Sequence, residues 1–230
     1  MSKLTVEQRK EAVRQRATMQ SRMQPPNKEF DFAPWDECPL IAREVDNSKI
    51  TSRFWERRVA NELGWITDPT SEHDNQDYGD LMPVNGVIGI DNVELKSTEK
   101  LGNYKISGGQ LRFYEDIPWY MFLVLDDDFC AHIYVMHKDD IYREMFVENK
   151  GIGSVSQGSG KTTHLDGKRF SREEKLELIK ETFERKNDIL WGFGINGKSD
   201  VETKNRWDEM YKVTLEELRD WESFKKSRNK

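Results

Sequence analysis

The sequence predicts an α/β sandwich around a mixed sheet. Three observations carry that prediction: an amphipathic helical stripe over residues 52–63, two adjoining strand-like segments at 81–90 and 93–97, and a strongly apolar strand pair at 119–125 and 129–136. The order helix, strands, helix, two strands, helix lays helical layers against a sheet.

Thr5-Val-Glu-Gln8 has capping-box spacing and opens a charged helical arm that Pro25 and Pro26 end. Residues 27–50, with Pro34, Pro39, Phe30, Phe32 and Trp35, read as an irregular, partly buried connection. In the helix at 52–63, Trp55, Val59, Ala60 and Leu63 recur at 3.6-residue spacing, Arg57, Arg58 and Asn61 face water, and Gly64 ends the run. An acidic loop (67–77) follows. The segments 81–90 and 93–97 then read as strands joined by a tight Asp91-Asn92 turn.

Residues 107–117 predict a short helix stopped by Pro118. The two apolar runs flanking Asp126-Asp127-Asp128 predict a hairpin, and 138–147 a further helix. Residues 150–170 are Gly/Ser-rich and basic, which predicts a flexible loop. From 171 onward the chain reads as helical, with capping boxes at Ser171-Arg-Glu-Glu174 and Thr214-Leu-Glu-Glu217. Four regions result: an N-terminal helical arm and irregular connection (1–50), a core (51–149), the basic loop (150–170) and a C-terminal helical segment packing on the core (171–230).

Composition narrows the function class. Charged residues make up 34% of the 230 and apolar residues 36%, and no apolar run approaches the roughly 18–20 residues that span a bilayer. No hydrophobic signal region opens the chain, so a cytoplasmic protein without membrane association is expected. Cys38 and Cys130 lie far apart and outside any Cys-x-x-Cys spacing, which reads as two buried free thiols. The net charge of −6 argues against a polyanion partner until its distribution is considered. Residues 1–28 carry seven Lys/Arg against two Glu, and residues 150–172 five against Asp166; residues 68–148 carry seventeen Asp/Glu against six Lys/Arg. An acidic centre between basic flanks suits a metal-dependent nuclease, and equally a calcium-binding or merely soluble protein.

The chemistry concentrates at Val93-Glu94-Leu95-Lys96. Strand alternation sends Val93 and Leu95 to one face and Glu94 and Lys96 to the other, so a carboxylate and an ammonium project side by side. Thirteen residues separate Asp80, at the start of the preceding strand, from Glu94, and Asp80 reaches Glu94 if the two strands pair. Two close carboxylates repel unless a cation joins them, and Mg²⁺ favours one or two carboxylates with waters and a substrate phosphate. Lys96 beside the ion would orient the attacking water and stabilise charge developing on the phosphate.

Gly79-Asp80 followed by Glu94-Leu95-Lys96 resembles the PD-(D/E)xK nuclease superfamily, which includes type II restriction endonucleases and RecB-type exonucleases. The proline of the motif is absent, since Tyr78-Gly79 precedes Asp80. The resemblance spans roughly residues 51–137. It implies a restriction-endonuclease-like αβββαβ core with helical N- and C-terminal extensions, and metal ligation by Asp80, Glu94 and the Leu95 carbonyl. Mg²⁺ is the implied ion, with Mn²⁺ substituting. Members often carry an acidic residue on the helix before the Asp, and Glu56 falls within the apolar stripe of residues 52–63; pairing with a neighbouring Arg is the alternative. Gln110 and Tyr114 resemble the Gln-xxx-Tyr feature of RecB-type nucleases if a helix puts both on one face, although Gln110 also fits the fourth position of a Ser107 capping box.

Other signals are weaker. Gly158-Ser-Gly-Lys-Thr-Thr163 lacks the first glycine of a phosphate-binding loop, since Val155 stands there. The same loop would suit nucleic-acid contacts through Lys161, Lys168 and Arg169, with Arg112 as a further contact, or be simply solvated. His132 and His137 read as structural, and His73, Asp74 and Asp77 as a solvated acidic loop or an added metal ligand. The Trp-rich C-terminal helices read as packing or a partner surface.

The expectation is a magnesium-dependent deoxyribonuclease, restriction-like in action, with DNA as partner, a homodimer for double-strand cutting and no small-molecule cofactor. The alternatives are a repair, recombination or phage exonuclease of the same superfamily, and a nucleic-acid-binding or assembly protein whose D…ExK residues form ordinary surface ion pairs.

Overall fold

The computed structural model describes residues 48–67, 69, 78–97, 105–125, 131–144, 154–155, 170–196 and 201–228. The expected N-terminal arm, Cys38, Cys130, His73, Asp74, Asp77, Lys161, Lys168 and Arg169 lie outside them.

A six-stranded mixed sheet forms the centre, in the order β1 (Trp65–Thr67), β2 (Leu81–Pro83), β3 (Val93–Ser97), β5 (Trp119–Leu125), β6 (Ala131–His137), β9 (Lys212–Val213). The β3–β5 ladder is parallel and the other four are antiparallel. A second sheet of three strands pairs β4 (Lys105–Leu111) and β7 (Ser154–Val155) on either side of β8 (Trp191–Asn196). The helices among the described residues are α1 (Ser48–Leu63), α2 (Lys138–Tyr142), α3 (Arg172–Phe183), α4 (Val201–Met210), α5 (Leu215–Arg219) and α6 (Trp221–Arg228). The chain is thus α/β, with an open, mostly antiparallel mixed sheet and helices.

Alternation along the central strands divides the core in two. Val93 and Leu95 of β3, Trp119, Met121 and Leu123 of β5, and Ile133 and Val135 of β6 pack against Trp55, Val59 and Ala60 of α1, Leu218 of α5, and Trp221 and Phe224 of α6. On the opposite face Tyr120, Phe122, Val124, Tyr134 and Met136 meet Ile141, Ile179, Trp191, Trp207 and Tyr211. Trp221 meets Trp119 and Trp65 edge-on at 5.2 Å each, which shows that the C-terminal tryptophans are packing residues. No helix among the described residues is long and apolar enough to cross a membrane.

Several sequence expectations hold. Of the α1 stripe, Trp55, Val59 and Ala60 are buried as read and Leu63 partly so, and Gly64 leaves the helix with φ +67°. The 119–136 hairpin pairs in continuous register from Trp119↔His137 to Leu125↔Ala131. Both capping boxes form, at Ser171/Glu174 and Thr214/Glu217. His137 caps α2, and burial lowers its imidazole pKa despite the neighbouring Asp139.

Others are corrected. Residues 107–117 are not helical: 105–111 form β4 and 112–118 a loop, because β4 pairs with β8, with a register shift between Gly108 and Leu111, and tertiary pairing overrides the local pattern. The strand expected over 81–90 stops at Pro83. From there to Asn92 the chain is a turn-rich loop, in which the Asp91 carboxylate accepts from the Val87 amide at 2.8 Å and Asn92 from the Gly89 amide at 2.5 Å. The region after 171 is not all helical, since β8 and β9 supply strands to the two sheets. Arg58, expected to face water, is fully buried and meets Glu62 at 3.0 Å. The α-helix from 138 passes into a π-helical turn at Arg143 and Glu144, and residues 145–147 of the expected helix lie outside the described ones.

Candidate active site

Two strands and a glycine bring the site together. Leu81 pairs with Val93, which sets Asp80 opposite the start of β3. Gly79 has φ +88°, a conformation proline cannot adopt, and a Cβ on it would lie 3.0 Å from the Val93 carbonyl oxygen. This conformation lets the Asp80 amide donate to the Val93 carbonyl at 3.0 Å.

Asp80 Oδ2 accepts from the Leu95 amide at 2.7 Å. An extended residue directs its N–H and C=O to the same edge, so the Leu95 carbonyl lies on the Asp80 side of β3. Glu94 and Lys96 share the opposite face from Val93 and Leu95, as alternation requires. Lys96 Nζ donates to Glu94 Oε1 at 2.5 Å, and Arg112 Nη1 stands 3.6 Å from the same oxygen. The Glu94 side chain is fully buried, and no donor among the described residues reaches its Oε2.

Burial, then the negative charge of Glu94, push the Asp80 carboxyl pKa well above the usual carboxylate range; Glu56 adds to this, while Lys96 and the Leu95 amide oppose it. Burial alone would lower the Lys96 pKa, but Glu94 and Asp80 outweigh it and hold the ammonium above the ordinary lysine value. Lys96 is therefore a fixed positive charge at neutral pH in this arrangement.

Glu56 sits half-buried on α1, near enough for its charge to act on Asp80. Among the described residues no cluster of three or more His, Cys, Asp or Glu is arranged to hold a metal ion. The arrangement offers two carboxylates and a main-chain carbonyl, a donor set that suits Mg²⁺ when waters and a phosphate complete it. An ion there would meet the otherwise unsatisfied Glu94 Oε2 and offset the repulsion between Asp80 and Glu94.

The structure does not assemble the Gln110–Tyr114 helical face. Gln110 belongs to strand β4 and Tyr114 to the loop after it, so the i,i+4 relation is lost. Tyr114 instead stacks under Arg185, whose guanidinium lies 3.8 Å from its ring centroid. Arg185 is a residue the sequence reading missed. It also stands 6.0 Å from the Tyr78 ring and pairs with Asp116 through two hydrogen bonds of 2.7 and 3.2 Å. The only sequence signal for it is its place just beyond a predicted helix, which does not connect it to β2. Comparison with protein-family models, curated proteins and solved structures finds no match.

Proposed function

We propose that this chain is a metal-dependent deoxyribonuclease that hydrolyses phosphodiester bonds in the manner of a restriction-like endonuclease. The observation that carries this reading is the fully buried Glu94, whose Oε2 has no donor among the described residues while Asp80 and Lys96 flank it. A buried acceptor left unsatisfied is costly, and a cation is the partner its charge demands. Surface ion pairs, the basis of the non-enzymatic reading, are exposed; Glu94 is not.

Asp80, Glu94 and the Leu95 carbonyl would hold the ion, and the fold would be the restriction-endonuclease-like arrangement of α1 followed by β1, β2, β3 and β5. That assignment departs from the αβββαβ pattern in one respect. The described part of the β3–β5 connection enters the second sheet as β4 instead of forming a helix. A bound divalent ion supplies a Lewis acid and a water of lowered pKa. Asp80 is held in place by the Leu95 amide. Lys96, kept protonated by its two carboxylate neighbours, orients a water and faces the negative charge that develops on the phosphate. Arg112, 36% exposed beside Glu94, would contact a phosphate oxygen. The ground for preferring an exonuclease, a Gln110–Tyr114 helical face, is not formed.

The test uses linear, circular and single-stranded DNA with Mg²⁺ or with EDTA, beside an Asp80→Ala variant. Cutting that needs Mg²⁺ and vanishes in the variant supports the proposal; discrete fragments mark an endonuclease and a progressive ladder an exonuclease. Binding without cutting under Mg²⁺ and Mn²⁺ alike refutes it.

A further inference from the structure

We propose that Arg185 is a positioning residue for Asp80, acting through Tyr78. The consequence for ion binding rests on the reading of Asp80 as an ion ligand.

Arg185 is the one non-glycine residue with positive φ among those described, at 55°. It follows α3 where the chain turns back, with its amide donating to the Thr182 carbonyl at 3.0 Å and the Lys186 amide to Glu181 at 2.8 Å. Glycine is the usual occupant of such a helix end, since an L side chain is strained there. What the arginine gains is a junction of three chain segments. Its two hydrogen bonds to Asp116 fix it to the loop after β4, and the Glu115 amide donates to the Phe183 carbonyl at 3.0 Å, clamping the same two segments again. The guanidinium plane then lies over Tyr114 and reaches Tyr78.

Tyr78 leads directly into Gly79 and Asp80. A Cβ on Gly79 would crowd the Val93 carbonyl oxygen at 3.0 Å, and the Asp80 amide is hydrogen-bonded to that carbonyl. With so little slack after it, the placement of Tyr78 sets the angle at which Asp80 meets the Leu95 amide. Arg185 thus ties α3 and the 112–118 loop, which also carries Arg112, to the lead-in of Asp80.

The test compares Arg185→Gly, which removes the side chain while relieving the left-handed backbone, with Arg185→Lys, which keeps the charge but loses the planar fork. Hydrogen exchange of the Leu95 amide reports the Asp80 contact without any ion or substrate. The Val135 amide, bonded to Tyr211 in the core, reports global stability. Both variants are expected to speed exchange at Leu95 by about tenfold with Val135 unchanged, and to weaken Mg²⁺ binding measured by calorimetry by about tenfold. Unchanged Leu95 exchange, or acceleration in step with Val135, overturns the proposal. If Leu95 responds while the wild-type protein binds no Mg²⁺, the positioning role stands and the ion-site reading falls.

Discussion

Asp80 and Leu95 meet side chain to main chain: the carboxylate of one accepts the amide hydrogen of the other at 2.7 Å, between the two charged residues of the same strand. That bond aims Asp80 at the space beside Glu94, yet burial and the Glu94 charge still leave its carboxyl pKa well above the ordinary value of 3.8. Geometry places the group where its own charge is disfavoured.

Asp80→Asn is therefore expected to stabilise the ion-free protein. A carboxyl whose folded pKa is raised contributes stability below its unfolded pKa, and that contribution is lost as pH rises through the folded value. At neutral pH the disfavoured Asp80 charge costs stability that an amide does not, and asparagine can still accept from the Leu95 amide. In EDTA at pH 7 the variant should have the higher Tm, with the gap closing as pH falls toward 4. Added Mg²⁺ should raise the wild-type Tm and leave the variant nearly unchanged, while cleavage falls by about a thousandfold or more. A variant less stable than wild type at pH 7 in EDTA counts against the raised carboxyl.

Lys96 and Glu94 form a pair with unequal burial, 20% and 0% exposed. Lys96→Met leaves the Glu94 charge in the interior with Arg112, at 3.6 Å, as the remaining cation paired with it among the described residues, and should destabilise the fold by about 3 kcal/mol in urea unfolding at pH 7. Adding Glu94→Gln to that variant removes the stranded charge and should restore most of the loss. Additive losses in the double variant would show that the two side chains do not depend on each other. Neither single variant is expected to cut DNA.

What the sequence revealed of this site was its period-two chemistry. Glu94 and Lys96 alternate with Val93 and Leu95, and that pattern alone separates a charged face from an apolar one. The hairpin at 119–136 and the two capping boxes were legible for the same reason, since each depends on neighbours a few residues apart. Gln110 was misplaced because residues 107–117 carry no local mark of their pairing with β8, nearly the length of a small domain further along the chain. Arg58 was misread because spacing on α1 gives an angle and not what covers that angle. Arg185 was invisible because its partners, Tyr78, Tyr114 and Asp116, come from segments that only the folded chain brings together.

Gly79 and Gly64 separate backbone strain from site geometry. Both have positive φ, so alanine at either should cost about 1–2 kcal/mol. Nothing lies within 4 Å of a Cβ at Gly64, whereas one at Gly79 would press on the Val93 carbonyl and the Glu94 amide at 3.0 and 3.4 Å. Gly64→Ala should lower stability and leave Mg²⁺ affinity intact. Gly79→Ala should in addition weaken Mg²⁺ binding by about tenfold or more, measured by calorimetry on folded protein. Equal affinities in the two variants would mean that the Gly79 contact does not set the position of Asp80.

Glu144 supplies the opposite case, a buried carboxylate whose partners are all protein. Its oxygens accept from both terminal nitrogens of Arg206, from Trp207 Nε1 at 3.4 Å and from the Tyr211 hydroxyl at 3.2 Å, joining α4 to the end of α2. Burial alone would raise its pKa, but Arg206, followed by Trp207 and Tyr211, outweighs it and holds the carboxyl below its ordinary value of 4.5. The sign of the pH effect is therefore reversed relative to Asp80: this stability is present above the unfolded pKa and lost as pH falls through the folded one. Arg206→Ala should cost about 3 kcal/mol at pH 7, because the remaining carboxylate keeps its burial and loses its counter-charge. Since none of these residues touches Asp80, Glu94 or Lys96 through a described contact, Mg²⁺ affinity and cleavage per folded molecule should match wild type below the variant's unfolding temperature. Loss of Mg²⁺ affinity in folded Arg206→Ala would show that the α4 clamp and the Asp80–Glu94 carboxylate pair are energetically coupled through the sheet.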